Sequence, residues 1–290
     1  MAAGAEFSLS YLTVLGTPPE EQVEVAARSG YDYLGVRFNA VAEGEVAFPF
    51  LSDPGLVRRF TTRLADTGMA VLDAEQVRLG PGDDPAAYAG FLEVARTVGA
   101  RHVVAQVPDP DRGRAAEHLA HLCDLAAPLD LTVEVEFIPW TATNDLAAAA
   151  EIVTRAGRPN GGIVVDALHF HRSGSTVAQL VALAPGLFRF AQLCDAPLEA
   201  PTDREALIRA ARTERMLLGE GGLDLRSLVA GLPAVPYALE VPNDALRRRL
   251  GTERFAVQVL DSARRWLEED GSPRGVTRAP DGGRRPSRPG

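Results

Sequence analysis

Apolar runs alternate with amphipathic stretches from one end of this chain to the other. Phe7–Val14 is the first apolar run; Pro19–Ser29 follows with helical spacing and stops at Gly30, a residue suited to the left-handed position after a helix. Tyr33–Phe38 predicts a second strand. Ser52-Asp53-Pro54 is a helix start, with a capping side chain and a proline in the first turn, and that helix runs to Gly68. Ala70–Gln76 is the third strand, and Asp84-Pro85 opens a helix ending at Gly99. The later strands are His102–Val107, Leu131–Ile138, Gly162–Leu168, Leu187–Leu193 and Tyr237–Val241. Between and after them come helices over Arg112–Ala127, Asn144–Ala156, Thr176–Leu183, Arg204–Arg212, Leu225–Ala230 and Asp244–Glu269.

Strict alternation of strand and helix predicts a parallel sheet. Eight such units between Phe7 and Glu269 match a closed (β/α)8 barrel, the TIM barrel, as a single domain. An open doubly wound sheet is the alternative, but no Gly-x-Gly-x-x-Gly follows the first strand. The expected organisation is a barrel over residues 1–270 and a disordered Arg/Pro/Gly tail over 271–290.

Side chains along a strand alternate with period two. Glu134 and Glu136 share one face of the fifth strand, opposite Val133, Val135 and Phe137. Val164 and Asp166 share a face of the sixth; Phe188, Phe190 and Gln192 of the seventh; Ala238 and Glu240 of the eighth. The opposite faces are apolar and suited to packing under helices. The polar residues therefore point into the barrel, and four of them lie late in their strands, where barrel active sites form.

Glu136, Asp166, Gln192 and Glu240 thus converge on one mouth. A buried carboxylate is costly unless a cation pairs with it, so three carboxylates and an amide imply a shared partner, simplest as a divalent metal ion. Their oxygens are hard ligands that suit Mn²⁺ or Mg²⁺, with Zn²⁺ or Co²⁺ also acceptable. Such an ion polarises a carbonyl and stabilises an enediolate. Carboxylates from the fifth and eighth strands reach a substrate from different sides, one removing a proton beside the carbonyl and the other returning it.

Other residues gather around this set. His169 lies three residues after Asp166, a spacing that lets it reach back from the strand–loop junction to the metal or a substrate hydroxyl. Arg172 is a candidate for a phosphate or carboxylate, and Glu75, late in the third strand, for a contact to substrate or to the residues that hold the metal. Trp140 reads as a pocket wall for a sugar's apolar face or as a core residue. Gly219-Glu220-Gly221-Gly222 reads equally as an anion cradle of backbone N–H groups and as a flexible connection. Glu134, one layer lower, is expected to pair with a barrel arginine.

Composition narrows the chemistry. The net charge is −9, and because the last twenty residues contribute +4, the body carries −13. That argues against a nucleic-acid partner. All thirty basic residues are arginine, which excludes Schiff-base aldolase chemistry, covalent pyridoxal phosphate and a P-loop lysine. No run is long enough to span a bilayer, so no membrane partner is expected. Two cysteines, Cys123 and Cys194, on separate elements give no disulfide framework, and a cytoplasmic setting is expected.

Taken together, Val135-Glu136-Phe-Ile-Pro-Trp140, Val165-Asp166-Ala-Leu-His169-Phe, Ala191-Gln192-Leu-Cys-Asp195, Leu218-Gly-Glu220-Gly and Leu239-Glu240-Val-Pro resemble the xylose isomerase-like barrels, often labelled sugar phosphate isomerase/epimerase. That superfamily also includes the endonuclease IV type. The resemblance covers about residues 7 to 265 and implies that Glu136, Asp166, Gln192 and Glu240 bind a divalent metal. It further implies that Glu136 and Glu240 exchange protons with substrate and that His169 contacts it. Glutamine at 192, where many members carry histidine, resembles the hydroxypyruvate isomerase-like branch. The endonuclease branch needs a histidine-rich trinuclear site, which five mostly misplaced histidines do not supply.

The expectation is therefore a metal-dependent isomerase or epimerase of a small polyhydroxy carbonyl compound. A dehydratase resembling the 3-dehydroshikimate or keto-inositol enzymes is the alternative, and a non-catalytic sugar- or partner-binding barrel a further one. The resemblance also implies a homo-oligomer, dimer or tetramer.

Overall fold

A computed structural model describes residues 4–40 and 45–270. Eight strands, β1 (Phe7–Leu9), β2 (Tyr33–Arg37), β3 (Ala70–Arg78), β4 (His102–Gln106), β5 (Thr132–Glu136), β6 (Gly161–Asp166), β7 (Ala191–Leu193) and β8 (Tyr237–Leu239), pair in parallel in chain order. β8 returns to β1 through the Leu9–Leu239 register, so the sheet closes. The predicted (β/α)8 barrel is the observed fold. The expected tail, residues 271–290, lies outside the described residues.

Capping side chains set the helices against this barrel. Asp53, Asp111, Asp145 and Asp203 each accept a backbone N–H from the first turn of the helix that follows. The expected final helix is two, Asp244–Leu250 and Thr252–Asp270, broken at Gly251, whose φ of 79° a side chain would resist.

The barrel interior is layered. Tyr33, Leu72, Val104, Val164, Phe190 and Ala238 form an apolar layer of their own, separate from the larger core between barrel and helices. Below it Glu134 accepts from Arg189 Nη1 at 3.0 Å and from Thr132 Oγ1 at 2.7 Å. This is the expected arginine partner. Above the layer the mouth is polar. Phe188 departs from the alternation: it packs in the outer core, because a 3-10 turn at Pro185–Leu187 precedes β7 and the strand begins only at Ala191.

Candidate active site

β5 and β6 end on Glu136 and Asp166, β7 carries Gln192 at its centre, and Glu240 follows the last residue of β8. All four are buried, with exposures of 6%, 1%, 1% and 2%. Asp166 and Gln192 are register partners on adjacent strands. Above them opens a cavity of about 650 Å³ lined by Glu75, Glu136, Trp140, His169, Arg215 and Glu240 among others, a volume suited to a small ligand.

The carboxylates are not equivalent. Glu136 Oε2 accepts from Gln76 Nε2 at 3.0 Å and from Gln106 Nε2 at 2.8 Å. Its Oε1 has no hydrogen-bond partner among the described residues. Glu240 is committed on both sides: Oε2 accepts from Gln192 Nε2 at 2.7 Å and Ser10 Oγ at 3.2 Å, and Oε1 pairs with Arg215 Nη2 at 3.0 Å. Asp166 accepts from Arg215 Nη1 at 2.5 Å and from the His169 backbone N–H at 2.9 Å.

That last bond corrects the expected setting of His169. The strand ends at Asp166, whose side chain caps a short helix, Ala167–Arg172, so the three-residue spacing is that of an N-cap and its N3 amide. The His169 ring is buried and stands edge-on to Trp140, centroids 5.3 Å apart. Burial pushes its pKa down to about 4, so the ring is neutral, and Nδ1 has no partner among the described residues.

Burial also drives the carboxylates apart. It pushes Glu136 up to about 7, opposed by the Gln106 amide and reinforced by Asp166 and Glu75. It raises Glu240 well above the usual carboxylate range. Asp166 feels the same desolvation, but the Arg215 guanidinium and the His169 amide more than offset it and hold the group below its ordinary value.

Arg215 is one site residue that sequence reasoning missed, with Gln76, Gln106 and Arg37. It lies in no regular element; isolated bridges at Asp195–Met216 and Glu214–Asn243 hold its segment against the ends of β7 and β8. Its Nε donates to Ala211 O at 2.8 Å. A weak signal existed, since a chain without lysine has only arginine to balance inward carboxylates, but no local spacing singles out position 215.

The remaining expectations divide. Glu75 lines the cavity and is bound by Arg37 through Nε at 3.0 Å and through Nη2; Arg37 Nη1 also pairs with Glu45 at 2.8 Å. Trp140 lines the cavity wall. Arg172 is a correction: its guanidinium donates to Leu198 O at 2.9 Å and Pro197 O at 2.5 Å, so it is committed to pinning the loop after β7 and is not part of the cavity wall. The glycine loop does cradle an anion, and the anion is internal. The N–H groups of Gly219 and Gly221 donate to Asp195 Oδ2 at 3.1 and 2.9 Å, and Leu223 N–H to Oδ1 at 3.2 Å. A Cβ at Gly221 would lie 2.3 Å from that carboxylate.

The donor set fits a divalent cation. Ligand atoms of Glu136, Asp166 and His169 lie within 4.8 Å of one another. Gln192 Oε1 is buried with no partner among the described residues, an orphaned acceptor of the kind a metal satisfies. Five carboxylates at the mouth, Glu45, Glu75, Glu136, Asp166 and Glu240, face the two buried guanidiniums of Arg37 and Arg215. The excess of negative charge favours a further cation.

Known proteins share this architecture. The family model described as xylose isomerase-like TIM barrel matches residues 23–269. An inosose isomerase of Bacillus velezensis is 26% identical over 237 residues, covering 75% of this chain and 80% of that one. A 3-dehydroshikimate dehydratase of Pseudomonas aeruginosa is 30% identical over 137 residues, which span 46% of this chain but 21% of that longer protein. The crystal structure of the IOLI protein with a bound zinc atom superposes with a TM-score of 0.74 at 18% identity, covering 91% of this chain and 98% of that one.

Proposed function

The chain belongs to the xylose isomerase-like TIM barrel family, and from that premise we propose that it is a divalent-metal-dependent isomerase or epimerase, moving a proton beside the carbonyl of a small polyhydroxy or hydroxy-keto substrate. The observation that carries this reading is the asymmetry of Glu136. One oxygen is clamped by two amides, the other is open to the cavity, and the group's pKa lies near 7. A general base works best when its pKa sits close to the operating pH.

In this reading Glu136 Oε1 takes the proton and Glu240, whose affinity for a proton burial raises, returns one from the β8 side. Neutral His169 accepts a substrate hydroxyl at Nδ1, Trp140 covers an apolar face of the substrate, and Glu75 contacts it from β3. Glu136, Asp166, Gln192 and Glu240 are the proposed ligands, with His169 close enough to join them. A cation held there supplies polarisation of the carbonyl and charge to stabilise the enediolate. Mn²⁺ and Mg²⁺ suit the oxygen donors; the zinc in the IOLI structure makes Zn²⁺ the first comparison.

A dehydratase reading is supported by the stretch similar to the 3-dehydroshikimate dehydratase. It uses the same proton abstraction at Glu136, followed by protonation of a departing β-hydroxyl by Glu240.

Incubating Mn²⁺-loaded protein in D₂O with ketoses and keto acids, followed by NMR, tests both. The isomerase reading expects deuterium at the carbon beside the carbonyl with no loss of water; the dehydratase reading expects a rising enone absorbance. Glu136→Gln is expected to abolish either. Exchange that survives Glu136→Gln unchanged sinks the assignment.

A further inference from the structure

With Arg172 committed elsewhere, other arginines stand at the cavity. Helix Arg204–Thr213 runs along the mouth after β7, and Arg204, Ile208, Ala211 and Arg212 from it line the cavity. Arg204, Ile208 and Arg212 are spaced i, i+4, i+8 and therefore form one stripe on one helix face. Neither Arg204 nor Arg212 has an acidic partner among the described residues. Arg209, on a different face, is paired with Glu214 at 3.1 Å. The helix is positioned from below, since Arg215 Nε holds the carbonyl of Ala211 while its other nitrogens hold Asp166 and Glu240.

The cavity is thus electrically divided: carboxylates line its floor, and its rim carries the guanidiniums of Arg204 and Arg212 on this helix, unpaired among the described residues, with Arg78 at the end of β3 a further one. An uncharged polyol can use such a rim only through hydrogen bonds to its hydroxyl oxygens and leaves the rim's charge unanswered. A substrate anion would be repelled from the floor and attracted to the stripe, with its reacting carbons left over Glu136 and Glu240. Guanidinium forks match carboxylate and phosphate oxygens bidentately.

We propose that the substrate carries an oxyanion, carboxylate or phosphate, remote from the reacting carbons, and that Arg204 and Arg212 hold it. The proposal rests on the proton-transfer reading above and names the substrate class for that site.

The test uses matched sets in the D₂O assay: a ketose, its terminal phosphate monoester and its terminal carboxylate. The Mn²⁺-loaded wild type is compared with Arg204→Gln, Arg212→Gln, the double variant and Arg209→Gln. One charged member is expected to exceed the ketose in kcat/KM by about tenfold or more, and its chemistry identifies the oxyanion. Each rim substitution is expected to cost that member about 10- to 100-fold, the range for a hydrogen bond between charged groups, and to leave the ketose within about twofold. Arg209→Gln is expected to change neither.

Equal kcat/KM across the set, or equal losses on charged and neutral members, overturns the rim site and leaves the reaction standing. Calorimetric binding of the same compounds separates the converse failure. Arginine-dependent binding of a charged member without exchange overturns the reaction and leaves the rim site standing. Neither binding preference nor exchange overturns both.

Discussion

Gln192 gives its amide N–H to Glu240 Oε2 at 2.7 Å, and its own carbonyl oxygen remains buried without a partner among the described residues. One hydrogen bond thus sets the orientation of two of the four residues proposed as ligands. A carboxylate in place of Gln192 could not donate to Glu240, and two like charges would meet beside Asp166.

Gln192→Leu is therefore expected to remove an oxygen ligand and loosen Glu240 together. Divalent-metal affinity should fall about 10- to 100-fold, the range seen when groups that orient metal ligands are lost. Titration of the purified variant with Mn²⁺ by calorimetry checks this.

Arg215→Leu leaves Asp166 and Glu240 without the guanidinium that bridges them. Removing one partner of a buried pair costs about 3–5 kcal/mol. The metal-free variant should show that loss in denaturant unfolding, and saturating Mn²⁺ should restore part of it by binding the folded state alone.

Gln76→Leu and Gln106→Leu each strip one amide from Glu136 Oε2. Neither is placed against the reacting carbons, so the expected effect is a fall in kcat of about tenfold or more with KM changed far less. Gln106→Glu should cost more than Gln106→Leu, since a third carboxylate beside Glu136, after Asp166 and Glu75, adds charge the site must then balance. Steady-state kinetics on a substrate identified by the exchange assay reads both.

Glu134→Gln tests the lower end of the barrel. Burial pushes Glu134 up to about 7, against the pull of Arg189 and Thr132. Because the folded pKa is raised above the group's ordinary 4.5, its contribution is present at low pH and lost as pH rises through about 7. The variant should gain stability relative to the wild type between pH 4.5 and 7 and hold that gain above it. His102, pushed down to about 4 by burial, works in the opposite sense in both proteins. Chemical unfolding at pH 5 and pH 8 gives the difference.

The barrel and the strand-end residues Glu136, Asp166 and Glu240 were legible because a carboxylate inside an apolar run is an energetic alarm, and Gln192 joined them by its inward place late in the seventh run. The same alternation on β2 and β4 puts Arg37 and Gln106 in the mouth, yet neither is a carboxylate and neither was read as part of the set. Arg215 was invisible for another reason: its place is set by bridges to Asp195 and Asn243 neighbours, which are tertiary facts. His169 was legible as a site residue; what the spacing did not reveal is that its backbone N–H also caps onto Asp166 and turns the loop into a helix, while the ring stays near Glu136 and Asp166. Arg172, expected as an anion contact, lies outside the cavity lining and gives two of its donors to backbone carbonyls of the next loop.

The apolar layer from Tyr33 to Ala238 acts as a partition that keeps water and partners of the two ends apart. It divides the barrel into two chambers, one holding Glu134 and Arg189, the other Glu136 and its neighbours, though Glu134 and Glu136 are two residues apart on one strand face. Each chamber carries its own compensation: Arg189 and Thr132 for Glu134, the Gln106 amide and Arg215 for Glu136. Because a medium of low dielectric constant strengthens a charge left unpaired, the lower chamber can be rebuilt as an all-apolar plug only by removing Glu134 and Arg189 together, which leaves the partners of Glu136 in place.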